Sequence, residues 1–102
     1  MISRVWHGWT KPENADAYER LLRTKVFPWI ARIDGYRGAF LLRRDDGDEV
    51  EFVTITRFDS MDAVRAFAGD DEAASVVLPE AEALLTRFDA RSVHYETVIE
   101  PD

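Results

Sequence analysis

The sequence of 102 residues predicts an α+β fold in which strands and helices follow the order β-α-β-β-α-β. Three observations predict it: four strand-like stretches, apolar residues at helical spacing after the first and third of them, and an Asp-Gly turn between the second and third. The four stretches are residues 2–9, 36–44, 49–58 and 90–99. This order is that of ferredoxin-like folds, with the four strands in one antiparallel sheet.

The first strand, ISRVWHGW at 2–9, is followed by TKPE, which begins a helix. Thr10 and Glu13 have the spacing of a capping box, and a proline between them suits the first helical turn. The helix carries an apolar stripe and ends at Asp34-Gly35. Because Pro28 cannot donate a backbone hydrogen bond inside it, we expect a kink or a break there.

The second half of the chain begins with a hairpin and continues in helices. The hairpin turn is DDGD at 45–48, since Asp-Gly tolerates a positive φ. Asp59 or Ser60 then caps a second helix, whose apolar residues repeat every third position. We expect further helical stretches at 72–78 and, restarted by a proline, at 79–88 before the last strand.

Composition limits the classes of protein to consider. The length fits a single domain, residues 1–102, and 46% hydrophobic residues are typical of a globular chain. A net charge of −7 argues against nucleic acids and anionic membrane surfaces as partners. The chain has no cysteine, which excludes disulfides and thiolate chemistry. We expect a cytoplasmic protein, with no leader or membrane segment.

Both faces of the expected sheet are apolar, which predicts a homodimer. Helices on one side leave the other face open, and an open face usually alternates towards polar residues. Here apolar side chains alternate on both faces of all four strands, which is more apolar surface than a monomer usually exposes. The alternative is a twisted monomer with arginines lying over the apolar atoms. In the dimer, Trp6 would face the partner, while His7 and Trp9 would face the helices.

At this point the sequence resembles the antibiotic biosynthesis monooxygenase family. The resemblance covers the opening strand with its helix, the segment IDGYRGAFLLRR, the segment EFVTITRFDSMDAVRAFAGDD and the closing VHYE. It implies a dimeric α/β barrel with a pocket between sheet and helices in each subunit. Because such barrels host several chemistries, the fold is implied more firmly than the reaction.

The resemblance also implies an activity, namely oxidation of a small aromatic or polyketide-like substrate with O₂ and without a bound cofactor. A deprotonated phenolic substrate can itself give an electron to oxygen, so the protein need supply only a pocket, a base and stabilisation of the anion. Two alternatives stay open: a non-catalytic dimer that binds a small apolar ligand, and a polyketide cyclase or isomerase.

His7 is the candidate catalytic base, because its ordinary pKa is near neutrality and its strand neighbours are apolar. The alternative is that His7 has no catalytic role and is either a buried neutral histidine or a solvated one. The candidate substrate-binding residues are apolar or aromatic residues and one further histidine, each of which could equally be packing. They are Val5, Trp9, Trp29, Phe58, Phe67 and His94.

A metal site is not expected. His7, His94 and Glu96 would form a two-histidine, one-carboxylate set if the first and last strands pair in the right register, but a slip of one residue places the histidines on opposite faces.

Haem breakdown, the other activity of the family, is not expected either. Haem-degrading members carry an asparagine on the first strand, a tryptophan that ends the third and a histidine in the second helical region. In this chain the only asparagine is Asn14, at a helix start, and Phe58 stands at the tryptophan position. The helical stretch EAASVVLPEAEALL has no histidine.

Overall fold

The computed structural model describes residues 1–101, in which one antiparallel sheet carries helices on one face. The central strand β1 (Ile2–Thr10) pairs along its whole length with β3 (Glu49–Phe58), and β3 pairs with the edge strand β2 (Tyr36–Asp46). The other side of β1 is shared by β4 (Leu85–Phe88) and β5 (Val93–Glu96). The predicted α+β, ferredoxin-like class is confirmed.

The sheet has five strands rather than the expected four. The stretch predicted as one strand at 90–99 forms strand only at β5, and β4 lies where the sequence predicted the end of a helix. Between β4 and β5 the chain leaves β1 and bonds to another segment: Ser75 N–H donates to Ala90 O, and Ser92 N–H donates to Ala73 O. This competing pairing interrupts the fourth strand.

The first helical region is a nearly continuous rod of three parts: α1 (Pro12–Leu21), a π-helical turn (Leu22–Val26) and α2 (Phe27–Ile30). The predicted irregularity near Pro28 takes the form of this π turn, in which the Phe27 N–H donates to Leu22 O, five residues back. This change in the helical hydrogen-bond pattern lets the chain continue through Pro28 without separating into two helices.

The predicted capping box is wrong. Lys11, not Thr10, is the N-cap of α1, and no side chain caps this end. Thr10 instead belongs to β1, where it is fully buried and pairs with Val50 and Leu85. Sheet pairing on both sides holds Thr10 in the extended conformation, so its hydroxyl is not placed over the first turn of the helix.

The second helical region is shorter than predicted. α3 (Met61–Ala68) is capped by Ser60, whose hydroxyl accepts from Ala63 N–H at 3.3 Å. The expected helix at 72–78 is wrong: the chain runs irregularly from Gly69 to Leu78, because two β-branched valines and the restriction on a residue before proline oppose helix. The helix resumes only in α4 (Pro79–Leu84). No helix within residues 1–101 is long and apolar enough to cross a membrane.

The sheet faces are the reverse of those expected. Residues paired across strands share a face, and Trp6, paired with Thr54, lines the cavity on the face that packs against the helices. His7 and Trp9 alternate with Trp6 and lie on the open face, which we define as the sheet face without helices. Alternation alone could not assign the faces, because both are apolar.

The core lies between the helices and the inner face of the sheet and consists of two groups. One group packs α1 and α4 on the hairpin end of the sheet: Ala15, Tyr18, Leu22, Val50, Phe52 and Ala81. The other packs α2 and α3 on the opposite end: Ile30, Phe58, Ala63 and Val64.

Candidate functional site

A cavity of about 60 Å³ lies between the inner face of the sheet and the helices, between the two core groups. Its wall is mostly apolar, with a few polar side chains from β1, β3, α1 and the loop before β5. The side chains that concern its chemistry are Arg4, Trp6, Tyr18, Thr54, Phe67 and Ser92. Such a combination of apolar wall and few polar groups is typical of small-molecule sites.

Arg4 is the charged group of the cavity. It is only 4% exposed, and its guanidinium donates from Nη1 to Glu72 O and from Nη2 to Ala74 O, at 2.8 Å for the latter. It also lies 5.5 Å from the centre of the Phe67 ring. No carboxylate among residues 1–101 forms an ion pair with it; the Glu72 carboxylate pairs instead with Arg65, at 3.2 Å.

His94 lies beside Arg4 on the neighbouring strand β5, and its Nε2 is 2.9 Å from Arg4 Nη1. Arg4 can only donate, so Nε2 accepts and the ring is neutral with its proton on Nδ1. Burial, and secondarily the charge of Arg4, lower the pKa of His94 below its ordinary value. The histidine therefore orients the guanidinium without competing with it as a second cation.

Trp6 forms another part of the cavity wall and is fixed at its polar end. Its indole N–H is 2.8 Å from both Ser75 Oγ and the Asp89 carbonyl oxygen. Its ring reaches over Gly8, two residues along the same face, where a Cβ would lie 3.0 Å from two ring atoms. Glycine at this position thus permits the tryptophan to lie flat on the strand.

Two of the hydroxyl groups on the cavity wall, those of Thr54 and Tyr18, concern its chemistry. Thr54 Oγ1 is buried and has no hydrogen-bond partner among the described residues. Tyr18 is 2% exposed, and burial raises the pKa of its phenol, which therefore stays protonated. Buried polar groups normally find partners, so the Thr54 hydroxyl calls for an explanation.

Phe67 on α3 lines both the cavity and a neighbouring groove of about 340 Å³. We call this the outer groove; it is lined by Trp29, Arg32, Ile33, Ala66 and Phe67. Phe67 packs against Trp29 in the groove and against the buried Phe58 ring behind it, with ring centres 5.7 Å and 5.9 Å away.

Three of the predicted site residues lie elsewhere. Val5, His7 and Trp9 are on the open face, on the other side of the sheet from the cavity, so the expectation that His7 and Trp9 face the helices is wrong. His7 Nδ1 lies 2.8 Å from Asp89 Oδ2, and its ring stacks on Trp9 with centres 6.2 Å apart. Of the other predicted residues, Phe67 lines the cavity, His94 and Phe58 contact its lining residues, and Trp29 lies in the outer groove.

The register also shows where the two histidines and the glutamate of the possible metal set lie. His94 pairs with Arg4, and Glu96 with Ile2, on the inner face, whereas His7 lies on the open face. The three side chains therefore do not converge. Within residues 1–101 no group of three potential ligands is found.

Sequence reasoning missed Arg4, Tyr18 and Thr54 as site residues. Arg4 does give a signal, because it is a charged residue in the middle of an apolar strand. Tyr18 falls within the apolar stripe of the first helix, and Thr54 within the alternating pattern of the third predicted strand. Nothing in that pattern distinguishes a threonine on a cavity wall from one in water.

The open face is apolar as predicted. Phe40 and Leu42 on β2 are 51% and 50% exposed, and Val93 and Tyr95 on β5 are 53% and 57% exposed. Alternation along the strands places all four on the same face as His7. Four large apolar side chains on one face are thus half exposed.

Similar folds are known from several bacteria. The structure of Rv0793 from Mycobacterium tuberculosis is 20% identical over 99% of this chain and 98% of its own, with a TM-score of 0.63. The haem degrader MhuD from the same organism, solved with two haems in its active site, is 19% identical over 100% of both chains, with a TM-score of 0.62. The ActVA-Orf6 monooxygenase of Streptomyces coelicolor, in complex with nanaomycin D, is 18% identical over 99% and 92%, with a TM-score of 0.61.

At these sequence identities the comparisons show a shared fold and nothing more. The proteins with this fold include both a monooxygenase and a haem degrader. No protein of curated function matches the chain. A family model does match: that of the antibiotic biosynthesis monooxygenases covers residues 1–77, three quarters of the chain. The chain therefore belongs to the antibiotic biosynthesis monooxygenase family.

Proposed function

We propose that this protein is a monooxygenase that oxidises a small aromatic or polyketide-like substrate with O₂, without a bound cofactor, in the cavity between sheet and helices. The observation that carries the proposal is the apolar cavity with the buried cation Arg4 on its wall. An apolar surrounding strengthens the attraction between that cation and a substrate anion. The family membership supports oxygenation as the reaction.

The reaction balances without any further reductant. In an anthrone-type substrate the ring CH₂ loses a proton, and the anion gives its electrons to O₂. The carbon ends as a C=O that carries one oxygen atom, and the other oxygen atom leaves as water. The protein stabilises the anion and excludes bulk water from it, and Arg4 is the group placed for the first of these tasks.

Entry of an aromatic ring requires movement of a side chain. An engineered cavity of roughly 150 Å³ holds benzene, whereas the cavity here is about 60 Å³. Phe67 is the wall shared with the outer groove, so a turn of its ring joins the two spaces. The ring system of a substrate would then extend past Phe67 towards Trp29.

We further propose that the working unit is a homodimer in which two open faces pack against each other as the halves of an α/β barrel. The exposed apolar side chains on β2 and β5 support it, since at about 25 cal/mol per Å² their burial favours association. His7 and Trp9 would then be interface residues rather than cavity residues. The expected cytoplasmic location stays a prediction.

The test of the oxygenase is turnover of a dihydroxyanthrone in air and under nitrogen, followed by quinone absorbance and O₂ uptake. Anthrones oxidise slowly without an enzyme, so the rate must be compared between matched variants of the protein. These are Arg4→Met and Arg91→Met. Arg91 binds Asp71 on the surface of the same 69–78 segment that Arg4 binds from inside. We expect O₂-dependent quinone formation well above background for the wild type and Arg91→Met, and a loss of at least tenfold for Arg4→Met.

Other outcomes select the alternatives. Rearranged product formed equally under nitrogen identifies a cyclase or isomerase, and a ligand retained unchanged in native mass spectrometry identifies a binding module. A shift of the Soret band on titration with haemin, followed by loss of the porphyrin spectrum when a reductant is added, identifies haem degradation. This activity is included because the fold is similar to that of MhuD. Any of these without quinone formation overturns the proposal.

A further inference from the structure

The donors of Arg4 are not all used by the protein. A guanidinium has five N–H donors. Nη1 serves Glu72 O and His94, and Nη2 serves Ala74 O. The Nε–H and the second N–H of Nη2 have no partner within residues 1–101. Nε and Nη2 are neighbours on the planar group; we call this edge the fork, and it carries the unused Nε–H beside Nη2, an arrangement that can hold two oxygen atoms.

A buried cation without a carboxylate is costly, and it is retained here in a largely apolar surrounding. Removal of a charge from water costs several kcal/mol unless an opposite charge or hydrogen bonds compensate. The two carbonyl oxygens and the histidine compensate part of the cost for Arg4. Its net charge stays unneutralised, because Glu72 is paired with Arg65 and His94 is neutral.

Thr54 supplies an independent sign of a ligand on the same wall. Its hydroxyl is buried, unpartnered and on the inner face, next but one along β3 from Thr56, the residue that pairs with Arg4. A hydroxyl there can donate to an acceptor that the protein does not provide. Thus a charge without a counter-ion and a donor without an acceptor line one cavity.

The geometry points to an anion site: we propose that the cavity binds the anionic oxygen group of a small aromatic ligand, a carboxylate or a phenolate, on the Arg4 fork and the Thr54 hydroxyl. This inference rests on the proposed function, of which it specifies the substrate class. The volume of about 60 Å³ suits the oxygen end of the ligand, while its ring lies across the position of Phe67. A neutral aromatic of the same shape leaves both groups unsatisfied and binds weakly.

The test is binding without turnover, by calorimetry under nitrogen, with benzoate, its neutral isostere benzamide and p-nitrophenol, whose absorbance reports its ionisation. We expect benzoate to bind at least tenfold more tightly than benzamide, or p-nitrophenol to bind as the phenolate with a lowered pKa. The first result identifies a carboxylate as the preferred group, and the second a phenolate. The Phe67→Ala variant is measured in parallel, because it removes the side chain that closes the cavity.

The matched variants are Thr54→Val and Thr10→Val. Both remove a buried unpartnered hydroxyl, but Thr10 is not part of the cavity wall. We expect Thr54→Val to reduce the preference for the anion by threefold or more and Thr10→Val to leave it unchanged. Arg4→Lys keeps the charge without the fork and is expected to lose most of the affinity for benzoate.

Equal affinities for benzoate and benzamide together with unshifted p-nitrophenol, or no binding of any probe by either the wild type or Phe67→Ala, would overturn the anion site. Its failure is distinguishable from that of the oxygenase. Anion-selective binding without O₂ consumption contradicts the oxygenase alone, and O₂-dependent turnover without anion selectivity contradicts the anion site alone.

Discussion

Arg4 Nη1 lies 2.9 Å from His94 Nε2 across two neighbouring strands, so His94 is beside the cavity. The two histidines of the chain therefore lie on different faces of the sheet. His94 stands behind the cavity as a neutral acceptor. His7 stands on the other side of the sheet, paired with Asp89. The residue predicted from the sequence as the base is thus not in the cavity, and the one charged group that residues 1–101 place on its wall is an arginine.

The Arg4–His94 contact predicts how stability depends on pH. Burial and Arg4 place the folded-state pKa of His94 below its ordinary value of 6.5, with Glu72 opposing them. Between the lowered value and 6.5 the unfolded chain binds more protons than the folded one, so the free energy of unfolding falls as pH falls through this window. Urea unfolding between pH 7 and 5 should show the fall, and His94→Gln, which keeps an acceptor for Arg4, should flatten it. An equally steep fall in the variant would contradict this cause.

Removal of the Thr10 hydroxyl should stabilise the protein. Thr10 is fully buried, and its Oγ1 has no hydrogen-bond partner in the part of the chain that the structure describes. Valine has the same shape without the polar atom, so we expect Thr10→Val to raise the free energy of unfolding by about 1 kcal/mol. Urea denaturation measures it, with Thr10→Ala as the control that leaves a space and should destabilise.

Phe67→Ala should open the cavity to the outer groove. The expected cost is about 2 kcal/mol of stability, less than for a fully buried phenylalanine. We expect the variant to bind ring systems that the wild type admits slowly, with a faster association rate in stopped-flow fluorescence. Phe88→Ala, which removes a half-buried ring packed on Trp6 away from the groove, should cost similar stability without that gain. Equal association rates in all three proteins would show that Phe67 does not control entry.

Leu42→Lys should dissociate the proposed dimer. Leu42 is half exposed on the open face, and an ammonium group buried there without a partner weakens association by about 100-fold or more. Sedimentation equilibrium at micromolar concentration should find a dimer for the wild type and for Thr24→Lys, a control on the exposed surface of the π turn, and a monomer for Leu42→Lys. A monomeric wild type would remove the barrel from the proposal.

Gly35 and Gly47 form a matched pair for backbone strain. Both have positive φ, at 93° and 62°, but a Cβ at Gly35 would lie 2.8 Å from the Ala63 Cβ, whereas nothing lies within 4 Å at Gly47. We expect Gly47→Ala to cost about 1 kcal/mol for its conformation and Gly35→Ala about 2 kcal/mol more for the added clash. Thermal unfolding of the two variants measures the difference, and equal costs would contradict the close approach of this turn to α3.

Much of the fold could be predicted because its signals are local. The Asp-Gly turn has its positive φ at Gly47, Ser60 caps α3, and the apolar stripes mark α1 and α3. Each of these depends on residues within a few positions, so neighbouring side chains and backbone conformation suffice. The family, too, was recognisable from the sequence, since its pattern extends through most of the chain.

The tertiary structure decided which face of the sheet is inside, and with it the site. Alternation separates Trp6 from His7 but cannot say which of them meets the helices when both faces are apolar. Pairing of residues 73–75 with 90–92 broke the fourth strand, and pairing on both sides of Thr10 overrode its capping spacing. These are contacts between residues far apart in the chain, whose free energy depends on register and packing that no local pattern contains.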